Sequence, residues 1–271
     1  MNKQARPIGI FDSGIGGLTV LKEIHNKFPH EGTVYLGDTA RVPYGIRSPE
    51  TVTRYSFENT RFLFSKEVKM IVVACNTVSS VSLESIINSV PVPVIGVIEP
   101  GAKAAVAATE NKKVGVIGTE ATIKSNSYTK AIMNIDSSIE VFGIACPLFV
   151  PLVEEGWTEG KIAEMIAQEY LLEIKRKGID TLVLGCTHYP LLKGILAAVM
   201  GDSVRLIDSA IETVGEIETI LGNLSLLNRS GSNIIREFYV TDSPEKFKTV
   251  GERFLGEDIQ HIQKIELELE V

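Results

Sequence analysis

Short hydrophobic runs alternate with amphipathic segments along most of this chain. The first run, residues 7–12, leads into a glycine-rich turn at residues 13–17 and then into an amphipathic segment that predicts a helix over residues 18–26. A strand, a glycine-rich turn and a helix in this order form the opening unit of a doubly wound α/β fold. The alternation therefore predicts parallel strands with helices on both faces of the sheet.

The remaining hydrophobic runs predict the other strands, and the segments between them predict helices. Further strands are expected at residues 33–37, 70–74, 92–98, 113–118, 140–144, 181–185, 204–208 and 236–241. Further helices are expected at residues 49–68, 77–88, 158–177, 189–199, 211–221 and 244–254, with another that includes residues 125–133. Residues 151–156 are expected to form a loop.

The pattern of the first hundred residues repeats in the second hundred. Residues 9–13 (GIFDS) align with residues 115–119 (GVIGT) at an offset of 106 (115 minus 9). The strands that end before Cys75 and Cys186 align at an offset of 111 (186 minus 75). Offsets this similar indicate a duplicated α/β unit. The sequence therefore predicts two similar doubly wound parallel-sheet domains related by pseudo-twofold symmetry.

The domain boundaries follow from where the repeat starts and stops. We expect residues 1–98 and 209–271 to form the first domain, with the tail completing its sheet, and residues 99–208 to form the second. If the domains face each other, the carboxyl ends of their strands converge on one cleft. Ligands of open α/β sheets bind at that edge, and both cysteines would lie there.

Composition and charge narrow the classes of function. The chain has 271 residues, of which 44% are hydrophobic, and its net charge of -7 argues against a nucleic-acid partner. No apolar run reaches the roughly 18 residues needed to span a bilayer, and the N-terminus lacks the regions of a signal peptide. We therefore expect a cytoplasmic protein without membrane contact.

Two of the three cysteines occupy matching positions. Cys75 and Cys186 each stand between a predicted strand and a predicted helix, where free N–H groups and the helix dipole lower the pKa of a thiol from about 8.5. Each thiol is therefore expected to act as a nucleophile or as a base, and His188 can hold or relay a proton beside the second. Cys146 is predicted to be a small core residue. An odd count in a reducing compartment predicts no disulfide framework.

Metal and nucleotide sites are the first competing interpretations. Zinc ligation by the cysteines and His188 is disfavoured, because CxxC pairing is absent and the cysteines lie on separate strands. The turn at residues 12–17 reads DSGIGG instead of GxGxxG, and a Walker lysine is missing. Asp12 and Ser13 would instead place a carboxylate and a hydroxyl beside Cys75, unless Asp12 serves as a helix N-cap.

Further polar groups follow the predicted strands without acid–base chemistry of their own. Together their hydroxyl, amide and backbone N–H groups suit a small amino acid with one ammonium and two carboxylates. Each alone is also explained by turn or capping chemistry. These groups belong to Tyr44, Gly45, Asn76, Thr77, Thr187 and His188.

Five motifs, in this order and spacing, resemble glutamate racemases, the cofactor-independent amino-acid racemases of bacterial cell-wall synthesis. The motifs are IFDSGIGGLTVL, LGDTARVPYG, VVACNT, VIGT and GCTHYPLL. The resemblance extends from residue 7 to about residue 208. It implies two α/β domains with the active site between them, glutamate as substrate, no cofactor, a role in supplying D-glutamate for peptidoglycan, and the homodimer usual in the family.

The resemblance also implies a two-base mechanism. One cysteine thiolate removes the α-proton while the other cysteine, as a thiol, delivers a proton to the opposite face. By resemblance, Cys75 acts on D-glutamate with Asp12 beside it, and Cys186 acts on L-glutamate with His188 and Glu154 beside it. The implied substrate contacts are Asp12, Ser13, Tyr44, Gly45, Asn76, Thr77, Thr119, Thr187 and His188.

Two rival functions stay open at this point. One is a related two-cysteine enzyme that acts on aspartate or another small dicarboxylate, because pocket length cannot be read from sequence. The other is a binding protein that has lost catalysis, against which the intact Cys75 and Cys186 motifs argue.

Overall fold

A computed structural model describes residues 3–230 and 234–267. Residues 1, 2, 231–233 and 268–271, which belong to the predicted first domain, lie outside the described residues. The strands are β1 (Ile8–Asp12), β2 (Thr33–Gly37), β3 (Met70–Val73), β4 (Val94–Gly96), β5 (Lys113–Gly118), β6 (Glu140–Ala145), β7 (Thr181–Gly185), β8 (Arg205–Asp208), β9 (Arg236–Val240) and β10 (Ile262–Lys264).

At least one helix lies between each pair of successive strands. The helices are α1 (Leu18–Lys27), α2 (Pro49–Ser65), α3 (Asn76–Val81), α4 (Leu83–Ile87), α5 (Ile98–Ala108), α6 (Glu120–Lys124), α7 (Ser127–Ile135), α8 (Phe149–Glu154), α9 (Lys161–Arg176), α10 (Lys193–Met200), α11 (Ser209–Asn223) and α12 (Pro244–Leu255). Short 3-10 helices cover Lys3–Ala5, Tyr44–Ile46 and Tyr189–Leu192. No helix in the described part of the chain is both long enough and apolar enough to cross a membrane.

Two parallel sheets share one strand order. Within the described ranges, one sheet has the order β10-β9-β2-β1-β3-β4 and the other the order β6-β5-β7-β8. The central part of the first, β2-β1-β3-β4, therefore repeats the order of the second when each set is numbered from its first strand. This confirms the predicted class of two similar doubly wound parallel sheets. β9 and β10, from the tail, extend the first sheet beyond β2.

The strand order places both cysteines where ligands bind in such folds. In each sheet, later strands are added on both sides of the first strand, which is β1 in one sheet and β5 in the other. The ligand-binding crevice of such a sheet lies where the strand order reverses. Phe11 of β1 pairs with Val73 of β3, and Gly118 of β5 pairs with Gly185 of β7. β1, β3 and β7 are buried along their whole length, as expected for parallel strands covered on both faces. Cys75 and Cys186 therefore follow central strands at the reversal points.

Several predicted boundaries are wrong, and proline explains two of them. The strand expected at 92–98 ends at Gly96, and α5 begins at Ile98 with Pro100 in its first turn. The loop expected at 151–156 is helical as far as Glu154, with Pro151 in the first turn of α8. Prolines in a first turn cost nothing, because the N–H groups there have no intrahelical acceptor.

Other differences concern how helices begin and divide. The helix expected at 77–88 is two helices that meet at Ser82, and the one expected at 189–199 starts as a 3-10 turn before α10. β10 was not predicted, because its run of three residues is largely exposed and carries little hydrophobic periodicity.

Candidate active site

The loops at the carboxyl ends of the two sheets lie against each other. A Cβ atom on Gly16, which follows β1, would overlap Thr187 Oγ1 and lie 2.6 Å from His188 Cε1, both of which follow β7. Thr19 donates to the Thr187 carbonyl at 3.0 Å. Only glycine at position 16 permits this approach of the first loop's backbone to the Thr187 and His188 side chains. The cleft is therefore closed on this side in the described state.

The other side of the cleft is closed by threonines. Thr77 Oγ1 and Thr119 Oγ1 lie 3.0 Å apart, one after β3 and the other after β5. Thr119 also caps α6 by accepting from the Thr122 N–H. Gly45 packs against the Thr119 side chain. Residues suggested as substrate contacts on the two sides of the cleft therefore lie next to each other at Thr119.

Cys75 lies at the start of α3 and is 5% exposed. Burial raises the pKa of its thiol to about 12, and the negative charge of Asp12 adds to this. The Val78 N–H and the hydrogen bond with Ser13, whose Oγ accepts from the Cys75 thiol at 3.7 Å, oppose the rise without overcoming it. The prediction of a lowered pKa at Cys75 is therefore wrong, because burial outweighs the terminus of a six-residue helix.

Asp12 is almost fully buried at the end of β1. Its Oδ2 accepts the Gly14 N–H at 2.9 Å, whereas its Oδ1 is buried without a hydrogen-bond partner. Burial raises the pKa of Asp12, and the positive charge of His188 and nearby N–H groups offset only part of that rise. α1 starts with Gly17 as its N-cap, so Asp12 closes a local turn instead of capping the helix.

A relay of three side chains ends at the second cysteine. His188 Nδ1 lies 3.9 Å from Cys186 Sγ, and His188 Nε2 lies 3.2 Å from Glu154 Oε1. Burial lowers the pKa of His188, but hydrogen bonds to the Cys186 sulfur and to the Glu154 carboxylate outweigh it and raise the pKa to about 10. The same bond to His188 lowers the pKa of Glu154. His188 is therefore an imidazolium that donates to both neighbours.

The charge on His188 makes stability depend on pH. Because its pKa rises from 6.5 to about 10 on folding, its contribution is fully present below pH 6.5 and is lost as pH rises through about 10. We expect the free energy of unfolding of wild type to exceed that of His188→Gln most below this window. Urea unfolding at pH values below, within and above the window measures the difference, and a pH-independent difference would contradict the assignment.

Asn76 and Tyr44 lie in the site with their side chains partly committed. Asn76 Oδ1 accepts from the Tyr128 hydroxyl at 2.7 Å, but its Nδ2 is buried without a partner. The Tyr44 hydroxyl donates to Asp38 and accepts from Asn59 Nδ2 at 3.2 Å. Tyr44 can therefore offer a ligand its backbone N–H, at the start of a 3-10 helix, instead of its hydroxyl.

The structure brings the residues singled out from the sequence to the facing strand ends or to the rim beside them. They are Asp12, Ser13, Cys75, Asn76 and Thr77 from one side, with Tyr44 and Gly45 at the rim, and Thr119, Glu154, Cys186, Thr187 and His188 from the other. Sequence reasoning missed Tyr128, whose hydroxyl crosses from the second sheet's helices to Asn76. No sequence signal marks it, because a tyrosine within an amphipathic helix is ordinarily a core residue.

The third cysteine and the metal-ligating side chains add no second site. Cys146 is a free thiol, fully buried in the main hydrophobic core. In the ranges 3–230 and 234–267, no group of three or more His, Cys, Asp or Glu side chains is arranged to hold a metal ion.

Comparison with known proteins shows which proteins this chain is similar to. The profile of the Asp/Glu/hydantoin racemase family matches residues 8–217. The glutamate racemase of Geobacter metallireducens is 52% identical over 265 residues, which cover 98% of each chain. The crystal structure of glutamate racemase from Francisella tularensis in complex with D-glutamate superposes with a TM-score of 0.92, at 41% identity and with 98% and 99% of the two chains covered.

A second solved structure gives the same result. A glutamate racemase isoform from Bacillus anthracis superposes with a TM-score of 0.94, at 40% identity, covering 98% of this chain and all of the other. The chain is 52% identical to the Geobacter protein over nearly its full length, and the family profile covers both cysteine motifs. The chain therefore belongs to the Asp/Glu/hydantoin racemase family, among its glutamate racemases.

Proposed function

We propose that this protein interconverts L- and D-glutamate without a cofactor, by proton transfer at the α-carbon between two cysteines. The observation that carries the proposal is the pair of buried thiols that follow equivalent strands of two facing sheets, each with its own charged neighbour. The relatives' name, and the D-glutamate in one solved relative, support glutamate over aspartate as the substrate.

The two thiols differ in a way that suits an acid and a base. Cys75, with its raised pKa and a carboxylate neighbour, holds its proton. Cys186 Sγ lies 3.9 Å from His188 Nδ1, and the raised pKa of His188 places a cation beside this sulfur. In this state the Cys186 thiolate takes the α-proton of L-glutamate, and the Cys75 thiol gives its proton to the opposite face of the same carbon. The product is D-glutamate, and the reverse reaction starts from the Cys75 thiolate.

Two orphaned polar atoms match a zwitterionic substrate. Buried polar atoms are nearly always paired, so the unpaired acceptor at Asp12 Oδ1 and the unpaired donor at Asn76 Nδ2 are suited to hydrogen-bond a substrate. We assign the first to the substrate ammonium and the second to a carboxylate. The remaining contacts come from hydroxyls and backbone N–H groups of Ser13, Tyr44, Gly45, Thr77, Thr119, Thr187 and His188.

The hydroxyl and N–H donors named above stabilise the carbanion that forms when the α-proton leaves. The α-proton of an amino acid is far less acidic than a thiol, so the negative charge that develops on the α-carboxylate must be stabilised. Donors fixed in a site without water do this without an electron-accepting cofactor. Cys75 and Cys186 are only 5% and 6% exposed, so the site excludes water when it is closed.

Substrate entry requires that the cleft open. We propose that residues 1–98 and 209–271 move as one domain against residues 99–208, with hinges near residues 98–100 and 208–209. Glutamate would enter the open form, and the contacts of Gly16 with Thr187 would re-form over it.

In the cell, we assign to this protein the supply of D-glutamate for peptidoglycan, in the cytoplasm and as a homodimer. Expression of the gene should restore growth to a bacterium that requires external D-glutamate, and the Cys75→Ser variant should not. Sedimentation of the purified protein measures the dimer. Growth without D-glutamate that the variant supports equally would contradict the cellular role.

One experiment separates this activity from its rivals. The reduced protein is incubated in deuterium oxide with L-glutamate or L-aspartate, and circular dichroism and proton spectra are followed. We expect glutamate to lose optical activity and to gain deuterium at the α-carbon. Racemisation of aspartate in place of glutamate would establish the dicarboxylate alternative, and no deuterium uptake from either would favour a binding protein.

A further inference from the structure

A helix from the C-terminal part of the chain, α12, contacts the Glu154–His188–Cys186 relay beside the second sheet. α12 connects β9 with β10 and packs on α1, so it belongs to the first sheet's layer. Its Arg253 donates through Nη2 to the backbone carbonyl of Glu154 at 2.7 Å. Glu154 is the last residue of α8, which follows the second sheet's β6. The contact therefore joins elements that belong to different sheets.

Arg253 completes the end of α8. The carbonyls of Pro151, Leu152 and Val153 accept from N–H groups of residues 155–157, at 2.8–3.0 Å. Among the described residues, no N–H group is seen donating to the carbonyl of Glu154, which takes the Arg253 guanidinium instead. A cationic side chain at a helix C-terminus both fills a carbonyl and complements the dipole. The backbone that carries the Glu154 carboxylate is thus fixed by another layer of the molecule.

Two neighbouring contacts also hold α12 against the residues around the relay. Gly156 has a φ of +80°, and a Cβ atom there would overlap the Arg253 guanidinium. The ring of Phe254 meets the His188 ring edge-on, with centroids 5.3 Å apart. α12 therefore touches two of the three members of the relay, at the Glu154 backbone and at the His188 imidazole.

We propose that Arg253 is a positioning residue for the Cys186 half of the reaction. By fixing Glu154, it holds His188 with Nδ1 toward the sulfur, and it does so only when the two layers are together. The inference rests on the proposed function for its kinetic consequence but not for its geometry. It makes α12 the element that couples closure of the cleft to activation of one thiol.

Isotope effects test the role, because a positioning defect on one face affects the two directions differently. For Arg253→Ala we expect kcat/KM to fall roughly tenfold to a hundredfold in both directions. The α-deuterium effect on kcat/KM should rise with L-glutamate, whose proton goes to Cys186, and fall with D-glutamate, whose proton goes to Cys75. Lys248→Ala removes a cation from the same helix and should change neither effect.

A second variant and a spectroscopic titration test the same role of Arg253. Arg253→Met, which keeps most of the length of the side chain but none of its donors, should give the same isotope pattern, should Arg253→Ala fold poorly. Nitrogen-15 spectra of His188 report the relay without any substrate, and Arg253→Ala should lower the pKa of His188. Unchanged isotope effects together with an unchanged His188 titration would overturn the inference. A wild type that does not racemise glutamate would instead remove the proposed function, with the titration still deciding the role of Arg253.

Discussion

Replacing Cys186 or Cys75 with serine is expected to lower kcat/KM for glutamate racemisation by about three orders of magnitude in both directions. A serine hydroxyl fits the space but releases its proton far less readily than a thiol, so one face of the α-carbon loses its acid and base. Because the equilibrium between enantiomers is fixed, a defect on either face slows both directions equally. Polarimetry from each enantiomer measures this.

The third cysteine provides a matched control. Cys146 lies in the core, and its sulfur is 3.8 Å from the Ile144 carbonyl, which would also accept from a serine hydroxyl. Cys146→Ser should therefore retain activity within a few-fold of wild type. Full activity in either Cys75→Ser or Cys186→Ser would remove the two-base mechanism, because one thiol would then suffice.

Asp12→Asn is expected to lower kcat/KM by about tenfold to a hundredfold, the loss of one charge-assisted hydrogen bond. The variant loses the acceptor assigned to the substrate ammonium, and it loses a negative charge that adds to the effect of burial in raising the pKa of Cys75. Its thermal stability should equal or exceed that of wild type, because burial already disfavours the ionised carboxyl, as its raised pKa indicates. Activity and stability would then change in opposite directions.

Asp180→Asn is the matched control for Asp12→Asn. The Asp180 carboxylate also accepts turn N–H groups, from Glu110 and Asn111, but it precedes β7 at the edge of the sheet away from the cleft. Asp180→Asn should lower stability and leave kcat/KM unchanged. If Asp12→Asn instead lost stability and kept its kcat/KM, Asp12 would be a turn residue with no part in substrate binding.

The strands and the positions of both thiols could be predicted because their signal is local. Runs such as MIVV and TLVLG are buried along their length, and parallel strands covered on both faces carry this nearly continuous hydrophobicity in sequence. Helix limits were less predictable. Proline is read as a boundary, yet Pro100 and Pro151 both lie inside first turns.

The electrostatics of the site could not be predicted, because it depends on packing between distant segments. The helix start after Cys75 is visible in the sequence, but the burial that raises the pKa of its thiol is not. The Glu154–His188 contact joins residues 34 positions apart, and Arg253 reaches Glu154 across 99. Motif resemblance suggested the first pair, whereas nothing in the sequence indicated the second.

The placement of β9 has a consequence for biosynthesis. β2 pairs along its length with β9, although Gly37 and its partner Val240 are separated by 203 positions (240 minus 37). At a translation rate of roughly 5–20 residues per second, β2 leaves the ribosome about 10–40 s before its neighbour is made. An unpaired strand edge recruits other chains during that time. Nascent molecules are thus most prone to aggregate between the synthesis of β2 and that of β9, and chaperone supply should govern the yield of active protein.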